Sequence, residues 1–167
     1  TINREWVTER YAAQFNQPAY SAFRKETPII GTWDDHDYGR NNAGAEYELK
    51  EVTRDLALSF MEVPIGDLRW QREGLYGAYD FGTNGKMTKV ILLDNRYFAS
   101  GKKTDNPELL GQEQLAWLET TLRESEADLH ILVSGIQIIS EEHHWEKWAD
   151  YPKTRTWLLR KIAETQT

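Results

Sequence analysis

Three short apolar runs constrain the fold of this chain more than any other feature: Pro28 to Thr32, Lys86 to Leu93 with its Val-Ile-Leu-Leu end, and Leu129 to Val133. Each is too short for a helix; Pro28 to Thr32 and Leu129 to Val133 read as buried strands, and Lys86 to Leu93 as a β-rich run. Amphipathic helical stretches separate them. Ile2 to Phe15 reads as one helix, ended by Pro18, and Ala19 to Lys25 as a short second. Glu46 to Met61 is a third, with Leu49, Val52, Leu56 and Phe60 in one stripe. Gly111 to Glu124 follows through Leu115, Leu118 and Leu122, and Pro152 opens a last helix with Trp157, Leu158 and Ile162 on its inner face. Strands alternating with helices predict an α/β fold, its sheet covered on both faces. Tyr76 to Phe81 and Lys86 to Leu93, joined by Gly82-Thr83-Asn84-Gly85, add an antiparallel hairpin, because Asn-Gly supplies the positive φ angles of a tight turn. The sheet is therefore expected to be mixed.

With 167 residues, 40% of them hydrophobic, the chain can bury a core, and no repeat or Gly/Ser linker divides it. It opens within a helical pattern without an initiator Met, so residues 1–167 are expected to be part of one domain, truncated at both ends. A net charge of -7 argues against a nucleic-acid or anionic-membrane surface, which needs clustered cations. It leaves an anionic substrate open, since bound cations reverse the local field where carboxylates gather. The absence of Cys excludes thiolate zinc sites and Cys nucleophiles within this stretch. No apolar run is long enough to span a bilayer, and no signal-peptide pattern appears at the start.

In open α/β sheets ligands bind beyond the carboxyl ends of strands, so the residues after each apolar run are where chemistry is sought. After the first run stands Trp33-Asp34-Asp35-His36-Asp37-Tyr38-Gly39-Arg40-Asn41-Asn42. Three carboxylates and an imidazole in four positions carry an electrostatic cost that a plain polar turn does not require, so a functional site is the better reading. Hard cations would compensate that charge, with Asn41 and Asn42 as further oxygen donors, while Gly39 and Gly44 let the loop fold back closely. At the second strand end, Asp94 and Arg96 could orient a phosphate or close a structural ion pair, and both readings stay open. At the third, Ser134-Gly135 reads as a tight bend, because no G-x-S-x-G pattern surrounds the serine. Glu141 to Trp148 lacks the H-E-x-x-H zinc spacing despite His143 and His144, and reads as a lid or solvated loop.

Pro28 to Asn42, P-I-I-G-T-W-D-D-H-D-Y-G-R-N-N, resembles the signature of the PhoD-like alkaline phosphatases, a branch of the calcineurin-like metallophosphoesterases. The resemblance continues through I-L-L-D-N-R-Y (Ile91 to Tyr97), L-G-Q-E-Q-L-A-W-L (Leu110 to Leu118), H-I-L-V-S-G-I-Q (His130 to Gln137) and W-A-D-Y-P (Trp148 to Pro152). It implies a mixed sheet flanked by helices as part of a metallophosphoesterase sandwich, and hydrolysis of phosphomonoesters or phosphodiesters by metal-activated water. The alternative is a non-catalytic phosphate- or cation-binding module of the same fold. Carried over from the wider superfamily's G-N-H-[DE] motif, Asp35 takes a metal-ligand position, His36 the phosphate-facing one and Asp37 the orienting one. Asn42 is implied as a further oxygen ligand, Asp34 as a ligand or a ligand's partner, and Asp94 and Arg96 as substrate-binding residues. A metal follows from the resemblance: divalent Ca2+ for these oxygen donors, and Fe3+ through ligands outside the stretch. The same resemblance implies a small phosphate ester as partner and a periplasmic or secreted location. The family's earlier G-D motif and later G-D-x-H motif are absent, so the stretch is not expected to complete the metal centre or to be active alone. Asn95 stands where the family usually has Thr.

Overall fold

The computed structural model describes residues 2–83 and 85–165. Helix α1 (Arg4–Phe15) is capped by Asn3, whose side chain accepts the Trp6 N–H, and Pro18 in the first turn opens α2 (Pro18–Glu26). A single turn, α3 (Asp35–Tyr38), precedes α4 (Lys50–Phe60) and a 3-10 turn at Leu68–Trp70. Strands β1 (Gly77–Thr83) and β2 (Lys86–Leu92) form the expected hairpin. Thr83 faces Lys86, leaving a two-residue turn in which Gly85 has φ 78°, while Asn84 lies outside the described residues. Helix α5 (Gly111–Arg123) carries the chain over to β3 (Leu129–Val133), parallel to β2, and after a 3-10 turn at Trp148–Asp150 the chain ends in α6 (Pro152–Thr165). The fold is α/β, with a mixed sheet in the order β1-β2-β3 flanked by helices.

Two apolar cores hold these elements. Ile91 and Leu132 on one sheet face pack with Leu118 and Leu122 of α5 and Leu158 of α6, closed by the fully buried Trp148. Burial of each such side chain contributes roughly 1.5–3 kcal/mol. The second core gathers Trp33, Tyr38, Tyr47, Leu58, Leu75 and Tyr97 beyond the carboxyl ends of the strands. Parallel pairing puts the carboxyl ends of β2 and β3 on the same side, where Tyr97 joins that core and Gly135 meets the Trp33 backbone. No helix among the described residues is long and apolar enough to cross a membrane.

Several expectations are corrected. Residues 28–32 form no strand: Pro28 has no N–H to give, and Thr32 meets the sheet end through its hydroxyl, which donates to the Leu93 carbonyl at 2.8 Å. Among the described residues the sheet is not covered on both faces. Phe81, Leu129 and Ile131, on the face opposite Ile91, stay 50%, 54% and 44% exposed, because α5 and α6 pack on the other side. On α4 the fully buried residues are Thr53, Ala57 and Leu58; of the apolar stripe, Phe60 turns instead to the rings of Tyr11, Phe15 and Tyr20. That helix is packed from two directions, which a single stripe does not express.

Candidate functional site

The acidic loop is shaped by its own side chains bonding to its own backbone. Trp33 is buried, and Tyr38 is fully buried between the Trp33 and Tyr47 rings, with centroids 4.9 and 5.3 Å away. The Tyr38 hydroxyl donates to the Gly44 carbonyl at 2.9 Å, drawing the end of the loop back to its start. Burial pushes that phenol well above its usual range, with nearby Asp94 and Glu46 adding to the effect. Asp35 makes a second closure: its two carboxylate oxygens accept the His36 and Asn42 N–H groups, both at 2.8 Å. Asn42 has φ 55°, a left-handed conformation that Asn tolerates better than most residues. At Gly44 the backbone lies against residue 99, where a Cβ would stand 2.1 Å from the Ala99 oxygen.

The outcome is a turn closed by its own hydrogen bonds, from which one imidazole projects. The His36 side chain is 78% exposed, with Nε2 3.3 Å from Asn41 Oδ1 and 3.9 Å from Asp35 Oδ1. Asp37 is exposed too, but its Oδ2 accepts the Asp34 N–H at 3.1 Å and its carbonyl accepts the Tyr11 hydroxyl at 2.8 Å, which ties the turn to α1.

Beneath the loop lies a layer of buried charge. Asp94 is fully buried and accepts four N–H donors: the Trp33 indole and the backbone of Leu75, Arg96 and Tyr97, at 2.8 to 3.0 Å. Burial pushes its carboxyl up, and those four bonds act in the opposite direction. Gln114 of α5 completes the strand end by bonding both the N–H and the carbonyl of Asp94. Arg96 is 1% exposed, and its guanidinium pairs not with Asp94 but with Asp34 and Glu146. Its Nε donates to Asp34 Oδ1 at 3.0 Å, and the other oxygen-bearing arm of the pair, Glu146 Oε1, accepts the Tyr151 hydroxyl at 2.6 Å. Asp94 and Arg96 thus present no free polar surface to a substrate, and Asp34 is engaged from below.

Glu146 was not legible as part of the site. The stretch read as a lid or solvated loop is buried in its second half, with Glu146, Lys147 and Trp148 all under 10% exposed, while His144 stays exposed. Ser134 sits among structural bonds: its oxygen accepts the Trp148 indole N–H at 2.9 Å and its hydroxyl lies within bonding distance of Asn95 Oδ1 and the Ile136 carbonyl. Asn95 also accepts the Gly135 N–H at 3.0 Å. Gly135 allows the close backbone approach its sequence suggested, since a Cβ there would be 2.7 Å from the Trp33 oxygen.

A metal centre needs converging donors, and among the described residues no three His, Cys, Asp or Glu side chains come together as one. Asp35, with both oxygens already accepting backbone N–H groups, and the exposed Asn42 offer only part of an oxygen donor set. These residues do not by themselves fit a complete metal site.

The family model described as PhoD-like phosphatase matches residues 4–167. A solved structure described as "Structure of PhoD" matches with a TM-score of 0.60 at 21% identity, over 80% of this chain and 31% of that one. The chain thus spans about a third of the length of that structure. No match was found among curated proteins.

Proposed function

Since the chain belongs to the PhoD-like phosphatase family, we propose that it carries the phosphate-facing loop of a phosphoester hydrolase acting on small phosphomonoesters or phosphodiesters. Family and fold support a phosphatase-type function. The observation that carries the rest is the presentation of His36: an exposed imidazole on a turn that Asp35, Tyr38 and Tyr11 hold in place. Fixed groups that need no rearrangement are what transition-state stabilisation requires. In the proposed reaction water adds its oxygen to phosphorus, the P–O bond to the alcohol breaks, and the departing oxygen takes a proton. His36 faces that phosphoryl group, as donor to a phosphoryl oxygen or to the leaving oxygen, and Asp37 orients the turn through its bond to the Asp34 N–H.

A metal requirement belongs to the same proposal as a property of the whole protein: divalent Ca2+, with Asp35 and Asn42 giving part of the donors, and Fe3+ through ligands outside residues 1–167. So does an extracytoplasmic location. The test is hydrolysis of p-nitrophenyl phosphate and bis-p-nitrophenyl phosphate by the protein that carries this segment in its full sequence. His36→Ala is expected to lower kcat on the order of 10²–10⁴-fold and chelation to abolish turnover, with folding unchanged because the side chain is exposed. Turnover indifferent to both would overturn the reading. Phosphate binding without any turnover would favour the non-catalytic module.

A further inference from the structure

Directly beside the projecting imidazole, α1, α4 and residues 29–33 enclose a cavity of about 340 Å³, of which His36 and Asp37 form part of the wall. This is within the range of small-molecule sites, roughly 300–1,000 Å³. Its lining is graded. Trp33, Ala57 and Leu75 are buried, at 2%, 4% and 0% exposed, and form an apolar floor. The charged and imidazole members, Arg10, His36 and Asp37, are exposed, as is Gln14, while Tyr11 and Thr32 are half-buried. The Arg10 guanidinium stacks over the Trp6 ring, 5.0 Å from its centroid, and makes no ion pair with a carboxylate among the described residues. Asp37 also lines the cavity, and its carboxylate accepts the Asp34 N–H.

An anion held at the rim with an apolar group in the floor describes one molecule, a phosphate ester of a bulky apolar alcohol. We propose that this cavity is the alcohol subsite, and that it selects esters with an aromatic or similarly large apolar alcohol over small ones such as methyl. The assignment rests on the phosphate-facing reading of His36. Arg10 and the floor act as specificity determinants, and they touch the part of the substrate that does not react.

The test does not require turnover. An isotope-labelled sample of the protein that carries this segment in its full sequence is titrated with 1-naphthyl phosphate, methyl phosphate and 1-naphthol, following the NMR signals of Gly31, Thr32, the Trp33 indole and His36. The expected result is that naphthyl phosphate perturbs all four and binds at least about tenfold more tightly than methyl phosphate, the equivalent of one ring's partial burial. Gly31→Leu should abolish the preference: Gly31 lines the cavity, and a Cβ there meets only Met61 Sδ, at 3.7 Å, so the larger side chain enters without a backbone clash. Arg10→Ala, at an exposed position, should weaken naphthyl phosphate but leave naphthol unchanged. Equal affinity for the two phosphates, or perturbations away from residues 31–33, overturns the subsite while leaving the phosphate reading intact. Naphthol binding with no response of His36 to either phosphate removes the phosphate reading, and with it the occupant assigned here.

Discussion

At the scale of single residues, the loop and its support were unequally visible. Asp35 and His36 stand out because like charges crowd a short stretch, a cost that calls for an explanation within a few positions. Asp94 was marked by its place at a strand end, but whether it faced phosphate or protein depended on what lies above it, and its four N–H donors come from residues 33, 75, 96 and 97. Glu146 had no local signal at all: its partner Arg96 is 50 residues away in sequence. Its importance can be measured. Removing one partner of a buried ion pair leaves an uncompensated charge, so Glu146→Ala is expected to cost about 3 kcal/mol of unfolding free energy in urea denaturation. A loss below about 1 kcal/mol would mean that Asp34 alone satisfies the guanidinium.

At the scale of elements, periodicity carried most of the reading. The helices and the hairpin lie close to where the spacing of apolar residues and the Asn-Gly turn placed them. The run at residues 28–32 failed as a strand for a physical reason: a strand exists only with a bonded neighbour, which apolarity alone cannot supply, and Thr32 reaches Leu93 through a side chain instead. The loop and the end of β3 nevertheless depend on each other through Gly135. Gly135→Ala puts a methyl 2.7 Å from the Trp33 oxygen and 3.3 Å from the Asp34 Cα. The contacting atoms are mainly backbone, so the loop must move. The expected outcome is loss of hydrolysis by on the order of 10²-fold, as for a small misplacement of a reacting group, with secondary structure by circular dichroism retained. Wild-type activity in that variant would show that the backbone contact does not set the position of His36.

For the whole molecule, the buried phenols set an upper limit on pH. Tyr11, Tyr38 and Tyr151 are all raised above their ordinary value, chiefly by burial, and Tyr97 is pushed up to about 12. Below about pH 10 these groups are protonated in both folded and unfolded chains, so they add no pH dependence. Above it the unfolded chain releases protons that the folded chain still holds, and stability falls as the pH rises toward the folded values. Thermal unfolding is therefore expected to show a steady Tm from pH 8 to 9.5 and a steep decline beyond, and a flat profile to pH 11.5 would contradict this burial. The contacts around Arg96 also decide whether the loop could be lifted out of this chain and set into another. It is not portable. The turn that presents His36 is braced by Tyr11 on one side and, through Asp34 and Arg96, by Glu146 and Tyr151 on the other. The smallest stretch that includes all of these braces runs from residue 11 to residue 151, so a short motif that is easy to recognise owes its shape to most of the chain.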